Sequence, residues 1–316
     1  MTEGAGRKTA EAGANGRGVF LQRAVRQVFG EELMGFRPLP GGGTRDSYWV
    51  ETDHRQVVVR VSRAPLEGSR SEATAMEIAR AHGLPAARVL YLGGLEGMPH
   101  GLHFLIHEFL TGEPLDHDLQ GPRPPADLLR KAGGMLADLH RIPLRGYGPL
   151  LAESGGSCSR WTDLIGDWEG KVRARGGEPY RSLGVPWADV ARRMQWLADL
   201  AGQVPGALLH GEFKLGHLLV HRQALSGLID FECALAGDPI LDLARWRTTY
   251  PDPETWDLVL EGYRSRRSLP ADVDLRLALY GIRLATEVGL YAQAKGLKQR
   301  WEQLRLSLSR DLAATA

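Results

Sequence analysis

This chain of 316 residues has almost no net charge, few cysteines and no long apolar run. Lysine and arginine number 39 against 38 acidic residues, so the formal net charge is +1. That balance excludes the strong basic excess typical of nucleic-acid-binding proteins. The two cysteines, Cys158 and Cys233, show no metal-ligand spacing, which favours a reduced, cytoplasmic protein over a disulfide scaffold. No apolar run reaches the length of a membrane span, so we expect no membrane partner.

The first 16 residues contain no apolar segment of the kind that a secretory signal requires. They are rich in glycine, alanine and charged residues, a composition typical of disordered chains. We therefore predict a disordered tail over residues 1–16 and folded structure from residue 17 onward.

Hydrophobic patterns predict a small lobe of mixed structure over residues 17–110. Helical periodicity covers residues 19–29 and again 71–82. Short β-branched or aromatic runs predict five strands, at residues 36–39, 48–50, 56–61, 89–92 and 102–109. Five strands with an inserted helix describe an α+β lobe.

Beyond residue 110, helical periodicity dominates the sequence. It predicts six helices, at residues 128–142, 161–173, 187–201, 240–247, 253–264 and 272–295. We expect a larger, mainly helical lobe over residues 111–316, joined to the first by a linker near residues 108–114. The fold class is therefore α+β, with two lobes.

The segment 208–244 places polar residues around two short apolar runs. His210, Glu212 and Lys214 lie on one short loop ahead of the first run, and Asp230 follows the second. Two such runs predict a hairpin, and carboxylates at its ends can hold a metal bound to a triphosphate. Phosphoryl transfer needs a carboxylate to orient the attacking hydroxyl, another to hold a metal ion, and a nearby cation.

This segment resembles the catalytic and metal-binding loops of the aminoglycoside phosphotransferase and choline kinase group, small-molecule kinases with a protein-kinase-like fold. The group reads roughly H-G-D-x-x-x-x-N, an apolar strand, I-D-[FW]-E, and G-D-P-x-x-D-L-A. The corresponding residues here are H-G-E-F-K-L-G-H from His210, I-D-F-E from Ile229 and G-D-P-I-L-D-L-A from Gly237. The resemblance implies a bilobal protein-kinase-like fold with a five-stranded sheet in the smaller lobe.

The resemblance also implies a role for each polar residue of the catalytic loop. Glu212 occupies the position of the aspartate that hydrogen-bonds the acceptor hydroxyl. Lys214 matches a lysine that faces the transferred phosphate, and His210 holds the shape of the loop. Asp230 is expected to bind Mg²⁺, with Mn²⁺ as the alternative. Glu232 would point to the same side as Asp230 if the strand continued.

Two further acids follow this loop pattern. Of Asp238 and Asp242, we expect one to cap the following helix and the other to brace the catalytic loop.

Two positions depart from the pattern of the group. Glu212 moves its carboxylate outward by about 1.5 Å relative to aspartate, and a displacement on the order of 1 Å can cost roughly 100-fold in rate. This indicates either a loop fitted to the longer side chain or an inactive kinase. His217 replaces a metal-binding asparagine, although the macrolide phosphotransferases resemble this chain in having histidine there. It is either a ligand of a second metal site or a polar residue that caps the loop.

The small lobe supplies candidates for binding a nucleotide. Gly41, Gly42 and Gly43 lie between the first two predicted strands. Glycine-rich backbone can approach phosphates closely, although three glycines alone also fit a hairpin turn. By resemblance to the group, the backbone of Glu108 and Leu110 would bind adenine.

Arg60 lies in the third predicted strand, where many members of the resembled group use arginine. A guanidinium there can bind α- and β-phosphate oxygens in a fork. Its expected partner is Glu72 on the following helix, with Glu77 as the alternative.

The sequence thus predicts an O-phosphotransferase, dependent on ATP (or GTP), that acts on a hydroxyl of a small natural product in antibiotic resistance or biosynthesis. A pseudokinase that binds without transfer, and a kinase of serine or threonine in a peptide natural product, are the alternatives. Mixed charge over residues 157–181 does not favour a polycationic acceptor. The sequence does not determine the oligomeric state.

Overall fold

The structure is a computed structural model of the chain. It describes residues 17–40, 45–116, 123–151, 155–165, 170, 184–202, 204–294, 296 and 298–315. The predicted tail at residues 1–16 lies outside the described residues. Part of the predicted helix at 161–173 does so too, and the described part is helical at 161–165.

The smaller lobe is a five-stranded antiparallel sheet with two helices. Helix α1 spans residues 17–29, and helix α2 spans Leu66–Ala81 between the third and fourth strands. The strands are β1 Leu33–Pro38, β2 Asp46–Thr52, β3 Gln56–Ser62, β4 Val89–Gly93 and β5 His103–Glu108. Their order in the sheet is β1-β2-β3-β5-β4. The structure therefore contains the five strands and inserted helix that the sequence predicts, with ends shifted by a few residues.

Alternation along the central strand β3 decides which face carries Arg60. Val57 and Val59 are fully buried in the core of this lobe. Successive side chains on a strand point to opposite faces, so Arg60 leaves the sheet on the face opposite Val59. The sheet thereby directs one guanidinium towards α2.

The larger lobe is mainly helical. Its helices are α3 Ala126–Leu139, α4 Trp187–Ala201, α5 Ile240–Thr249, α6 Pro253–Arg264, α7 Val273–Ala294 and α8 Lys298–Ala313. The predicted bounds of α4 and α6 match, and the other predictions differ by one to three residues at their ends. Helix α8 is an element that the sequence reading did not predict.

Two small sheets in this lobe carry the polar loops. One sheet contains β6 Glu113–Pro114, β10 Leu218–His221 and β11 Ala224–Leu228, in the order β11-β10-β6. The other contains β7 Tyr147–Leu151, β8 Gly155–Cys158, β9 Ala207–Leu209 and β12 Leu235–Gly237. Strands β10 and β11 form the predicted antiparallel hairpin. Among the described residues, no helix combines the length and apolarity needed to cross a membrane.

Helices α3 and α6 approach each other closely through glycine. A Cβ added to Gly133 would overlap the carbonyl oxygen of Val259, and one added to Gly262 would overlap that of Arg130. At the neighbouring Gly134, the nearest atom would be Nε of the Arg266 side chain, at 2.9 Å. The first two glycines therefore meet backbone, which cannot move away, whereas the third meets a flexible side chain.

This difference predicts opposite outcomes for two adjacent alanine substitutions. Gly133→Ala is expected to destabilise the protein by about 1–3 kcal/mol, because overpacking forces the two helices apart. Gly134→Ala should be neutral or stabilising by up to about 1 kcal/mol, because alanine favours a helix and Arg266 can move. Denaturant unfolding of both variants gives the comparison. Equal stability of the two would contradict the close backbone contact.

Candidate functional site

The loop between β9 and β10 carries three of the predicted residues. It runs from His210 to a 3₁₀ turn at Leu215–His217, and β10 follows directly. Gly211 has φ +77°, a conformation that favours glycine, and a Cβ there would overlap the carbonyl oxygen of Cys233. The tight turn expected at this glycine is therefore present.

Asp242, on the first turn of α5, anchors the start of this loop through its buried side chain. Its side chain is fully buried and accepts hydrogen bonds from the backbone N–H of His210 at 2.8 Å and of Gly211 at 2.9 Å. His140 Nε2 lies 3.2 Å from the same carboxylate. Although burial acts to raise it, hydrogen bonding and charge from His140 hold the pKa of Asp242 below its ordinary value. Asp242 is the residue that braces the loop.

Asp238 has the other role expected for this pair. Its Oδ1 accepts the backbone N–H of Ile240 at 3.0 Å, at the start of α5. Its Oδ2 accepts bonds from Arg276 at 3.1 Å and from the Tyr280 hydroxyl at 3.0 Å. Asp238 thus ties the beginning of α5 to α7.

His210 packs inside the loop rather than facing the cleft. It is fully buried, its Nε2 lies 3.0 Å from the carbonyl oxygen of Ile229, and its ring contacts Phe213, His217 and Phe231. Burial lowers its pKa, so the ring is neutral near pH 7. This environment agrees with the expected loop-shaping role.

Asp230 ends the hairpin in a left-handed backbone conformation. Its φ is 64° and ψ 62°, and a 3₁₀ turn at Phe231–Cys233 follows. The strand therefore does not continue, so the condition under which strand alternation would align Glu232 with Asp230 is not met. Glu232 nevertheless reaches the same arginine as Asp230, because the turn reverses the chain there.

Glu212, His217 and Asp230 come together in one cluster. One ligand atom from each lies within 4.8 Å of the others. Nε2 of His217 is 3.2 Å from Oδ2 of Asp230, while its Nδ1 donates to the carbonyl oxygen of Glu212 at 3.0 Å. Burial, reinforced by the neighbouring His210, lowers the pKa of His217 to about 3. The ring is therefore neutral, caps the loop through Nδ1 and presents Nε2 to the cluster.

Two carboxylates and a neutral imidazole make a donor set that suits a divalent cation. Lys214 lies at the edge of the cluster, with Nζ 3.1 Å from Oε1 of Glu212. Both of these side chains are partly exposed, so the open side of the cluster faces solvent.

Arg60 connects the two lobes at this point. It pairs with Glu72, lies 3.2 Å from Oδ1 of Asp230 and 3.0 Å from Oε2 of Glu232. Its Nε is buried and has no hydrogen-bond partner in the described part of the chain. The alternative partner, Glu77, instead accepts the backbone N–H of Val89 at 2.8 Å. Of the two candidates, the structure places Glu72 beside Arg60.

Arg45 is a site residue to which the sequence reading gave no role. It follows the glycine-rich segment, is only 8% exposed, and pairs with the second oxygen of Glu72. Its Nε lies 4.0 Å from Oε1 of Glu232. The available signal was its position directly after the glycines, but sequence alone cannot show that an arginine is buried.

The remaining nucleotide-binding candidates are only partly described. Gly41, Gly42 and Gly43 lie outside the described residues. The N–H of Glu108 donates to the carbonyl oxygen of Arg88 at 3.0 Å, and its own carbonyl oxygen lies 2.9 Å from Nδ1 of His107. Leu110 follows β5 and donates its N–H to no described residue. The backbone of Glu108 is therefore engaged within the lobe, whereas the N–H of Leu110 has no acceptor in the described part of the chain.

Comparison with known families gives one extensive match. A model of the phosphotransferase enzyme family, APH, matches residues 35–276. That range contains Arg45, Arg60, Glu72, the catalytic loop from His210 to His217, and Asp230. Comparison with curated protein sequences gave no match.

Several solved structures share the whole fold at low sequence identity. The aminoglycoside phosphotransferase APH(4)-Ia has a TM-score of 0.74 at 15% identity, covering 96% of this chain and 99% of its own. A thermostable mutant of that protein, in a ternary complex with ADP and hygromycin B, has a TM-score of 0.71 at 17% identity, covering 94% and 99%. The macrolide 2′-phosphotransferase MphH from Brachybacterium faecium has a TM-score of 0.59 at 20% identity, covering 92% and 96%. These likenesses establish the bilobal kinase-like fold.

Proposed function

Because this chain belongs to the phosphotransferase enzyme family, we propose that it is an ATP-dependent O-phosphotransferase acting on a hydroxyl of a small natural product. The observation that carries this proposal is the cluster of Glu212, His217 and Asp230 directly facing the Arg60–Glu72 pair. Carboxylates to hold a metal ion and orient a hydroxyl, opposite a cation for phosphate, are the parts that phosphoryl transfer needs.

The nucleotide would lie between the lobes, with its phosphates against Arg60. The unpartnered Nε of Arg60 is a buried donor that a phosphate oxygen can satisfy. The N–H of Leu110, which donates to no described residue, would bind the base. We propose the lobe boundary at this residue, since residues 109–112 connect β5 to β6. A protein of similar fold was solved in a complex with ADP, which supports nucleotide binding. We propose ATP, and not GTP, as the phosphate donor. A competition experiment between the two nucleotides for binding tests this choice.

Asp230 and His217 would hold a divalent cation. When bound, Mg²⁺ or Mn²⁺ would neutralise charge on the transferred phosphoryl group. In the structure, Arg60 balances the charge of Asp230, and the neutral ring of His217 presents Nε2 3.2 Å from the same carboxylate. These residues thus fit a divalent cation. On binding it, Asp230 would give up its contact with the guanidinium of Arg60.

Glu212 would orient the acceptor hydroxyl and take its proton, with Lys214 beside the transferred group. The 3.1 Å ion pair between them keeps the longer carboxylate at the open side of the cluster. Lys214 can then stabilise charge that develops during transfer. The one alternative with a structural basis is a pseudokinase, because the same ion pair engages the carboxylate of Glu212.

We propose an antibiotic-type acceptor, a cytoplasmic location and a role in resistance or biosynthesis. The support is that similar folds act on such molecules: one was solved with hygromycin B and another is a macrolide 2′-phosphotransferase. A screen of hydroxylated natural products with ATP and Mg²⁺, read by mass spectrometry, tests this directly. A product heavier by one phosphoryl group, formed only with metal, is the expected result. Nucleotide binding without transfer to any acceptor would favour the pseudokinase.

Glu212→Asp tests whether the longer carboxylate is fitted to its site. We expect kcat to fall by roughly 10- to 100-fold, because the shorter side chain moves its oxygens by about 1 Å. Glu67→Asp, at an exposed position on α2, is the control and should leave kcat unchanged. A large rise in kcat for Glu212→Asp would instead identify the native protein as a weakened kinase.

A further inference from the structure

Glu72 holds two arginines where a kinase-like phosphate site needs one. One oxygen of the buried Glu72 pairs with Arg60 and the other with Arg45. Both guanidiniums are about nine-tenths buried. Burying a second cation is costly unless it is paired. The second guanidinium therefore indicates that the site holds negative charge in addition to that of Glu72.

Glu232 supplies this additional negative charge. Its Oε2 is 3.0 Å from Nη2 of Arg60, and its Oε1 is 4.0 Å from Nε of Arg45. One carboxylate therefore lies between the two guanidiniums and is closer to Arg60. While it stays there, it competes with any phosphate for the same N–H donors.

The formal charges of the site favour a shift of Glu232 from Arg60 to Arg45 when a nucleotide binds. Arg45 and Arg60 together oppose Glu72, Asp230 and Glu232. A nucleotide adds further negative charge next to Arg60. Glu232 can then shift towards Arg45, whose Nε is already within about 1 Å of hydrogen-bonding distance.

We propose that Arg45 is a positioning residue that receives Glu232 when Arg60 turns to the nucleotide phosphates. Arg45 keeps its pair with Glu72 throughout, so the Glu232 carboxylate needs to move by only about 1 Å to reach hydrogen-bonding distance of Arg45. An N–H of Arg60 is thereby released for a phosphate oxygen, while Glu232 is held by Arg45. This inference rests on the proposed nucleotide site and adds the residue that makes Arg60 available to it.

Binding of ADP, measured by calorimetry without divalent metal, isolates this exchange from metal binding. Arg45→Gln is expected to weaken ADP binding roughly tenfold, the scale of one charge-assisted contact, and to leave adenosine binding unchanged. Arg70→Gln, an exposed arginine of the same helix as Glu72, is the matched control and should bind ADP normally. Arg45→Lys should fall between the wild type and Arg45→Gln.

A double-mutant cycle with Glu232→Gln separates positioning from general structural support. Removing the competing carboxylate should make Arg45 unnecessary, so Arg45→Gln should cost little ADP affinity in the Glu232→Gln background. An equal loss in both backgrounds would overturn the proposal. If Arg45→Gln does not fold, Glu232→Gln alone must still bind ADP more tightly than the wild type, and an unchanged or weaker affinity would refute the exchange.

The wild-type protein distinguishes this inference from the proposed function. Should it fail to bind ADP even with Mg²⁺, the kinase assignment itself is lost. If it binds ADP and Arg45→Gln binds equally well, only the role of Arg45 is lost.

Discussion

Replacing Asp230 by asparagine is expected to lower kcat for phosphoryl transfer by roughly 10³-fold, the order seen when a group that stabilises transferring charge is removed. Asp230 belongs to the Glu212–His217–Asp230 cluster and also contacts Arg60. An amide keeps the shape of the side chain but not its charge, so the affinity of the cluster for a cation should fall. The loss of rate and the loss of metal binding should therefore appear together.

Asparagine is the informative replacement because of the backbone at this position. Asp230 has φ 64°, and asparagine and aspartate tolerate the left-handed region better than most residues. Alanine would add backbone strain and confuse loss of charge with loss of structure. A thermal melt of the Asp230→Asn protein should show a folded protein.

Mn²⁺ binding, followed by electron paramagnetic resonance, provides a readout independent of turnover. Wild type should bind Mn²⁺, Asp230→Asn should not, and Asp127→Asn at an exposed position on α3 should behave as wild type. A variant at Asp230 that transfers phosphate at the normal rate would remove the basis for the metal assignment.

Asp242→Asn is expected to cost about 1–3 kcal/mol of unfolding free energy, the range for leaving a buried donor without its acceptor. The native carboxylate accepts bonds from two backbone N–H groups and faces His140. An asparagine NH₂ would direct donors at one of those N–H groups. The loop from His210 would then lose part of its anchor, so activity should fall with stability.

The pH dependence of this cost identifies its origin. Because the pKa of Asp242 is depressed in the folded protein, its stabilisation is fully present above the unfolded value of about 3.9. It is lost as the pH falls through the lower folded value. Denaturant unfolding should therefore show the full difference between wild type and Asp242→Asn at pH 7 and a shrinking difference below about pH 4. A difference that does not change with pH would mean that shape, not charge, is responsible.

Sequence reasoning succeeded where one local pattern decides the structure. Helices α4 and α6 combine clear periodicity with a proline at or before their first residue, and both bounds were predictable. The hairpin and its flanking polar residues followed from two apolar runs and a linear motif. Strands β7 (Y-G-P-L-L) and β8 (G-G-S-C) were missed because neither shows an alternation of apolar and polar residues, and they form through pairing within the larger lobe.

The parts of the site that could not be predicted depend on contacts between distant segments. The bridge from Arg60 to Asp230 and Glu232 joins residues 170 and 172 positions apart. Arg45 acquires its role only because Glu72 has a second free oxygen, which no linear motif records. Likewise, the left-handed turn at Asp230 is set by how β11 meets the following 3₁₀ turn.

The short strand β6 restricts how the two lobes can move. Glu113 and Pro114 are paired with Val220 and Leu219 of β10, and the Ser226 hydroxyl donates to the carbonyl oxygen of Thr111 at 2.8 Å. The chain is thus fastened to the catalytic hairpin almost as soon as it leaves the small sheet. Opening and closing would therefore have to pivot within residues 109–111, the three residues between the small sheet and the catalytic hairpin.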